Sequence, residues 1–137
     1  MKHELLRSDC FLLELEGVSN AGFTRCSGLE ASVEVLEYRE GGFPGVRHFR
    51  DEARYGRIVL ERGLVRSREL FDWFEEGDPR NGEIVLLEKD GKESMRWRFE
   101  GGWPCVWNGP RLRADVCDVA VERVEIVHEG LVWRATR

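Results

Sequence analysis

The sequence predicts a mainly β protein, a small antiparallel β-barrel or two-sheet sandwich with one flanking α-helix at about residues 67–76. Short apolar or alternating segments run along the whole chain, as strands do. One stretch near the middle has helical periodicity instead. An Asp-Gly pair at Asp90-Gly91 separates two of the β-like segments as a hairpin turn would. No repeat or linker divides the chain, so residues 1–137 are expected to form a single domain.

The predicted strands before the helix are short. The first alternates and places Phe11, Leu13 and Leu15 on one face, which is typical of a strand with one buried side. A later one brings Ile58 and Leu60 together in the same way. The short predicted strands before the helix are Cys10–Glu16, Val33–Tyr38 and Arg57–Glu61. A fourth, Glu83–Glu88, follows the helix.

One helix is predicted from Ser67 to Glu76. Ser67 suits an N-cap, and Gly77 suits the residue that ends a helix. Apolar side chains at three- and four-residue spacing share one side, and we expect that side to pack on an open face of the sheet. These helix-packing residues are Leu70, Phe71, Trp73 and Phe74.

The clearest hairpin surrounds Asp90-Gly91. Both residues tolerate positive φ, so the pair predicts a type I′ turn. The turn joins Ile84–Leu87 to a strand with one dry and one wet face. Met95, Trp97 and Phe99 face one way on that strand, and Arg96, Arg98 and Glu100 face the other.

The longest predicted β segment is Ala114–His128, which is rich in Val and Ile. Its alternation changes phase between Val119/Val121 and Val124/Ile126. A bulge, or a strand that leaves one sheet for another, produces such a change.

Composition narrows the classes of function. The 137 residues carry a formal net charge of -5, with acidic and basic residues intermixed, which argues against a dedicated binder of the phosphate backbone. No apolar run is long enough to span a bilayer, and residues 1–7 lack a signal peptide's apolar stretch. The sequence therefore predicts synthesis in the cytoplasm and no membrane contact in the resting state. Four scattered cysteines (Cys10, Cys26, Cys105 and Cys117) are expected to be reduced thiols.

The sequence offers no candidate catalytic, cofactor-binding or metal-binding residues. The chain has no nucleophile elbow, no Walker A loop, no dinucleotide fingerprint and no zinc-protease motif. Carboxylate pairs exist, as in any chain with 26 acidic residues, and carry little weight. We expect a protein that is not an enzyme. Trp103 and Trp107 could form a stacking platform for a small ligand, although burial at a fold corner or interface is the more common use.

The stretch Glu37–Arg50 has no clean periodicity and mixes aromatic, charged and turn residues. It is interpreted as a long loop, and long loops in compact domains usually have a function. Its composition is typical of interfaces, so it is predicted to contact a neighbouring subunit. The predicted contact residues are Glu37, Tyr38, Arg39, Glu40, Gly41, Gly42, Phe43, Pro44, Arg47, Phe49 and Arg50.

An ordered series of short motifs covers most of residues 10–131. It opens with Phe23–Glu30 and the run Glu37–Gly42, which reads EYREGG. It continues through Pro44-Gly45, Leu60–Gly63, Leu70–Trp73, Trp103-Pro104, Trp107-x-Gly109-Pro110 and His128–Leu131. The series resembles the tube proteins of contractile phage tails and of extracellular contractile injection systems.

The resemblance implies a structural role. It implies homo-hexameric rings that stack into the inner tube of a contractile machine, with sheath, baseplate and spike proteins as partners. It further implies that DNA or protein cargo passes through the lumen without specific binding, and that a segment around Glu37–Arg54 contacts neighbouring subunits. Two alternatives stay open: a tube-initiator ring at the baseplate, and a monomeric β-barrel that binds a ligand.

Overall fold

The computed structural model describes residues 5–6, 8–18 and 23–135, which form nine strands and one helix. All strand pairs are antiparallel. The elements are β1 (Phe11–Leu15), β2 (Phe23–Ser27), β3 (Ala31–Tyr38), β4 (Arg47–Tyr55), β5 (Ile58–Gly63), α1 (Glu69–Glu76), β6 (Arg80–Leu87), β7 (Glu93–Asn108), β8 (Val121–Val127) and β9 (Gly130–Ala135).

Seven strands are joined by hydrogen bonds: six form a path in the order β1-β6-β7-β8-β5-β2, and β9 pairs with β7 as a branch. The first part of β7 pairs with β6 and β9, and its last part pairs with β8. Between the two parts lie Gly101, whose φ is 61°, and Gly102. A Cβ on Gly102 would come within 2.5 Å of the Phe99 ring, so only glycine lets β7 bend over that ring.

The bend in β7 creates two layers with one core between them. The first layer contributes Leu13, Leu15, Ile84 and Phe99 to a single apolar cluster. The second layer contributes Ile58, Leu60, Val124 and Ile126 to the same cluster. The predicted fold class is therefore confirmed as a two-layer antiparallel β structure with one helix. The path ends at β1 and at β2, which do not pair with each other, so the barrel stays open.

The helix predicted at about residues 67–76 is confirmed as Glu69–Glu76. Ser67 lies one residue before the N-cap, Arg68, and its hydroxyl accepts a hydrogen bond from the backbone N–H of Glu69 at 3.3 Å. Gly77 ends the helix in the left-handed conformation, with φ of 69°, and donates its N–H to the carbonyl of Trp73.

The β6–β7 hairpin is present, and its predicted turn type is wrong. Within the described residues no non-glycine residue has positive φ, so Asp90 does not adopt the conformation that a type I′ turn requires. Of the two turn residues only Gly91, at 85°, has positive φ. The loop is one residue longer than the two-residue type I′ loop. It is closed by a hydrogen bond from the N–H of Glu88 to the carbonyl of Lys92. A register shift follows between Leu86 and Leu87. This arrangement is the three-residue hairpin loop whose last residue is glycine, combined with a bulge.

The prediction of a strand over Ala114–His128 is wrong for its first half. Pairing begins only at Val121, opposite Gly63, and residues 109–120 are irregular. The partner strand β5 ends there, and one further bond, from Leu64 N–H to the carbonyl of Ala120, marks the limit of the ladder. Apolar residues before this point, such as Val119, which is 79% exposed, therefore have no sheet to join.

The interpretation of Glu37–Arg50 as a loop is also wrong. Glu37 and Tyr38 end β3, Arg47–Arg50 begin β4, and only residues 39–46 connect them. The two strands form a separate two-stranded sheet, called here the β3–β4 hairpin. Its register contains a bulge between Val33 and Val35. The periodicity was obscured because both faces carry charged as well as apolar residues.

Candidate assembly interface

The β3–β4 hairpin is unusual because nearly all of it is exposed. Its strands pair only with each other, and of their 17 residues only Val33 and Asp51 are partly covered. An isolated two-stranded hairpin is marginally stable in water, because neither face is buried. This hairpin therefore presents a surface that lacks a partner within the described chain.

One face of the hairpin carries a cluster of apolar side chains beside Arg47. Leu36 pairs with Phe49, and the next pair on the same face is Tyr38 with Arg47. The rings of Tyr38 and Phe49 meet edge to face, with 6.3 Å between centroids. Leu36, Tyr38 and Phe49 are each about half exposed, which makes them a contiguous apolar patch of the kind that marks interaction sites. The three residues are called here the apolar patch.

The tip of the hairpin is held by local contacts. The guanidinium of Arg47 lies over the Phe43 ring, 4.2 Å from its centroid. Arg47 also pairs with Glu40 at 3.3 Å, and the N–H of Phe43 donates to the carbonyl of Glu40 at 3.2 Å. Gly42, at φ 91°, completes the turn. The tip thus has a defined shape and still exposes an aromatic ring.

All the predicted subunit-contact residues lie on this hairpin and all are exposed. Those in the strands are Glu37, Tyr38, Arg47, Phe49 and Arg50, and those in the connection are Arg39, Glu40, Gly41, Gly42, Phe43 and Pro44. The sequence interpretation missed Leu36 and Val35, which are 48% and 58% exposed. Their exposure could not be seen from the sequence, because alternating apolar residues usually indicate a buried face.

The root of the hairpin is rigidly joined to the body. Gly28 has φ of 86°, and a Cβ there would lie 1.8 Å from the carbonyl oxygen of Arg57, so the two connections cross in contact. The N–H of Gly56 donates to the carbonyl of Glu30 at 3.3 Å. The imidazole of His128 places one ring nitrogen 3.1 Å from the carbonyl oxygen of Gly56 and the other 3.1 Å from that of Gly130. These contacts fix the direction in which the hairpin leaves the body.

The predicted helix-packing residues divide between core and surface. Leu70 and Trp73 are buried, and the indole N–H of Trp73 donates to the carbonyl of Asp78 at 2.7 Å. Phe71 is partly covered and meets Trp107 edge to face at 4.8 Å. Phe74 is 37% exposed. The helix thus covers the core with one turn and leaves Phe74 at the surface.

A buried ion cluster, which sequence reasoning missed, joins the helix to the second layer. Arg62 is fully buried and donates to Glu122 at 2.7 Å and to Glu69, at the start of α1, at 2.8 Å. Glu122 also accepts the indole N–H of Trp107 at 3.1 Å. One guanidinium nitrogen of Arg62, Nη2, has no hydrogen-bond partner within the described residues. Alternation alone could have shown that Arg62 shares the core face of β5 with Ile58 and Leu60.

The outward faces of both layers carry paired charges. On the first layer Arg96 pairs with Glu14, Glu83 and Glu93, and Arg98 with Glu83. On the second layer Arg123 pairs with Glu61 and Glu125. Opposite charges on neighbouring strands stabilise a sheet, and here every one of these arginines has a carboxylate partner.

The described residues offer neither a group of metal ligands nor a helix that could span a membrane. They contain no group of three or more His, Cys, Asp or Glu side chains that could hold a metal ion. No helix among them is long and apolar enough to cross a bilayer.

Comparison with known proteins identifies the family. The family model for the T4-like virus tail tube protein gp19 matches residues 8–132. The chain belongs to this family. A comparison with curated protein sequences gives no match.

Solved structures share the fold of this tail tube family member. A chain of the PVC sheath–tube complex, an extracellular contractile injection system in its extended state, superposes with a TM-score of 0.87 at 22% identity, covering 96% of this chain and 93% of that one. A chain of the anti-feeding prophage baseplate gives 0.85 at 24% identity, with 98% of each chain covered. Hcp1 from Flavobacterium johnsoniae gives 0.63 at 16% identity, covering 93% and 96%.

Proposed function

We propose that this tail tube family member is the repeating subunit of the inner tube of a contractile phage tail or injection machine. Its copies form hexameric rings, and the rings stack into a conduit for DNA or protein cargo. Family membership over residues 8–132 supports the structural role, and with it a protein that is not an enzyme. The likeness to chains of a sheath–tube complex and of a baseplate supports a sheath and a baseplate as partners.

The observation that carries the proposal is the exposed β3–β4 hairpin. Its apolar patch of Leu36, Tyr38 and Phe49 has no cover within the described chain. Burying half-exposed aromatic and aliphatic side chains stabilises a contact by about 1–2 kcal/mol each. A two-stranded hairpin with exposed faces is stabilised when another subunit covers it, as the subunit-contact prediction requires.

Unpaired strand edges support assembly as well. Within the described residues, β2 and β9 each pair on one side only. Such edges are sites of pairing between chains unless they are covered. A contact in which the hairpin or an edge of one copy meets a different surface of the next copy is heterologous, and heterologous contacts generate rings or open stacks.

Passage of cargo without specific binding fits the charge pattern. The outward arginines Arg96, Arg98 and Arg123 are all paired with carboxylates, so a lumen formed by either face would offer few free cations to hold DNA. The ligand-binding alternative loses its support, because Trp107 is engaged by Glu122 and Phe71 and cannot form an open platform with Trp103.

The test is a pair of substitutions in the apolar patch. Leu36→Ser together with Phe49→Ser should leave the core intact, because both side chains are about half exposed, and should abolish rings and tubes. Light scattering after size exclusion and negative-stain microscopy report the assembly, and thermal unfolding reports the fold. Leu112→Ser, at a residue that is 82% exposed in the β7–β8 connection, is the matched control and should assemble normally. Unchanged rings in the double variant would contradict the role of the hairpin.

A further inference from the structure

The imidazole of His128 faces two carbonyl oxygens at once. Its Nε2 lies 3.1 Å from the carbonyl oxygen of Gly56, and its Nδ1 lies 3.1 Å from that of Gly130. Carbonyl oxygens only accept hydrogen bonds, so each contact needs an N–H on the ring. A neutral imidazole carries one N–H, and a protonated imidazole carries two. The surroundings of His128 are therefore matched in full only by the protonated ring.

The two carbonyls belong to different parts of the molecule. Gly56 lies between β4 and β5, at the root of the β3–β4 hairpin, and Gly130 opens β9. His128 itself follows β8, which ends at Val127. A ring that bonds to both carbonyls therefore ties the root of the hairpin to the β8–β9 turn of the body.

Aromatic neighbours hold the ring of His128 in place. The centroid of the Tyr55 ring lies 5.6 Å from that of His128, and the centroid of the Phe99 ring lies 5.9 Å from it. Tyr55 ends β4 and Phe99 is fully buried, so the imidazole lies between the hairpin and the core. A half-turn of the ring does not help a neutral imidazole, because it places carbon atoms against both carbonyl oxygens.

The elements that meet at this junction also bring charged groups. The carboxylate of Glu30, in the β2–β3 connection, lies against Gly56, and the carboxylate of Glu129 lies against the bend in β7. Arg57, the cation of the junction, pairs with Glu125 at 3.5 Å. The titratable and charged side chains around His128 are Glu30, Tyr55, Arg57, Glu100 and Glu129.

We infer that His128 is a proton-dependent latch between the root of the β3–β4 hairpin and the body. With both ring nitrogens protonated, the latch bonds to Gly56 and Gly130 together. When the ring loses one proton, one nitrogen turns a lone pair toward a carbonyl oxygen, and that contact is lost. Histidine changes charge between about pH 5 and 8, so the latch is closed at the acid end of this range and open at the other.

The effect of the latch on assembly rests on the proposed function, in which the hairpin contacts a neighbouring subunit. A hairpin whose root is held in one direction loses less conformational freedom when another subunit covers it. Loss of the proton frees the root, so more of the binding energy is spent on ordering the hairpin. Assembly should therefore need a higher subunit concentration at the alkaline end of the range.

NMR of glycine carbonyl carbons tests the latch without any need for assembly. The full chain with His3→Gln and His48→Gln keeps His128 as its one histidine and is labelled with carbon-13 at the glycine carbonyls. The signal of Gly56, of Gly130 or of both should move between about pH 5.5 and 8, and the signal of Gly91, in the β6–β7 turn, should not. Adding His128→Gln, which cannot titrate, should remove the movement. Signals of Gly56 and Gly130 that ignore pH, or that move equally after His128→Gln, overturn the inference.

The concentration needed for assembly gives a second readout. In the parent chain it should rise about three- to ten-fold from about pH 5.5 to 8, as the loss of one hydrogen bond predicts. His48→Gln removes the exposed histidine of the hairpin itself, so it is the matched control and should keep the rise. His128→Gln should lose it.

A rise that persists in His128→Gln and disappears in His48→Gln would place the response on the surface of the hairpin and overturn the inference. A parent chain that forms no assembly at any concentration would overturn the proposed function instead. In that case the carbonyl signals of Gly56 and Gly130 still decide whether the latch exists.

Discussion

At the scale of single residues, Arg62 is the most constrained charge. It lies fully buried between Glu122 and Glu69, with the Phe23 ring 5.3 Å from its guanidinium carbon. A buried ion pair adds little net stability, because desolvation offsets much of the attraction. Removing one partner destabilises the fold strongly, since the other charge then stays buried without compensation.

Arg62→Met should therefore destabilise the fold by roughly 3–5 kcal/mol, because Glu122 is left as a buried carboxylate. Urea denaturation measures the change. The double variant Arg62→Met with Glu122→Leu is the control, and it should recover much of the loss. A double variant no more stable than Arg62→Met would show that the cluster acts through packing rather than charge.

Cys26 offers a pH-dependent test. Burial raises the pKa of its thiol to about 11, so the reactive thiolate is scarce at neutral pH. In a variant whose other three cysteines are serine, iodoacetamide at pH 8 should alkylate Cys26 roughly two orders of magnitude more slowly than in the denatured chain. The rate should keep rising as the pH approaches 11. Equal rates in the folded and denatured chain would show that the partly buried thiol of Cys26 is not shielded from water.

At the scale of elements, the sequence predicted those strands that bury one face. β1, β5 and β6 appear at the predicted positions, because Leu13, Leu60 and Ile84 belong to alternating or apolar runs that the core requires. The helix followed from Leu70 and Trp73 in the same way.

The β3–β4 hairpin was only half predicted, for a physical reason. The sequence predicts β3 from Val33 to Tyr38 but a loop where β4 begins, because Arg47, His48 and Arg50 give β4 no dry face. Periodicity reports burial within one chain, and this element is exposed in a single copy. The contact residues were nevertheless placed on it by composition, since aromatic and arginine side chains are common at interfaces.

The helix makes a prediction of its own. Trp73→Ala should destabilise the fold by roughly 3–5 kcal/mol, because the indole is fully buried and its N–H holds the carbonyl of Asp78. Phe74→Ala, one residue along, is the matched control and should cost less than about 1 kcal/mol, since Phe74 lies at the surface. The midpoint of chemical unfolding measures both. Similar losses in the two variants would mean that α1 is not seated as described.

At the scale of the whole molecule, the chain has a direction. Its hydrogen-bonded path ends at β1 and β2, and the hairpin leaves the body as the continuation of β2 and β5. A contact in which the hairpin of one copy meets a different surface of the next copy is head to tail, and such contacts close into rings or continue as open stacks. A directional subunit of this kind suits the tube of the family to which the chain belongs.

The way in which the hairpin is anchored also decides how it bears mechanical load. A pull on its tip runs along β4 into β5, which is paired with β8 from Ile58–Ile126 to Gly63–Val121. Those hydrogen bonds lie across the strands, so a force along the strand strains them together in shear and does not peel them one by one. A subunit that is pulled by its neighbour through the hairpin would therefore resist mechanical unfolding.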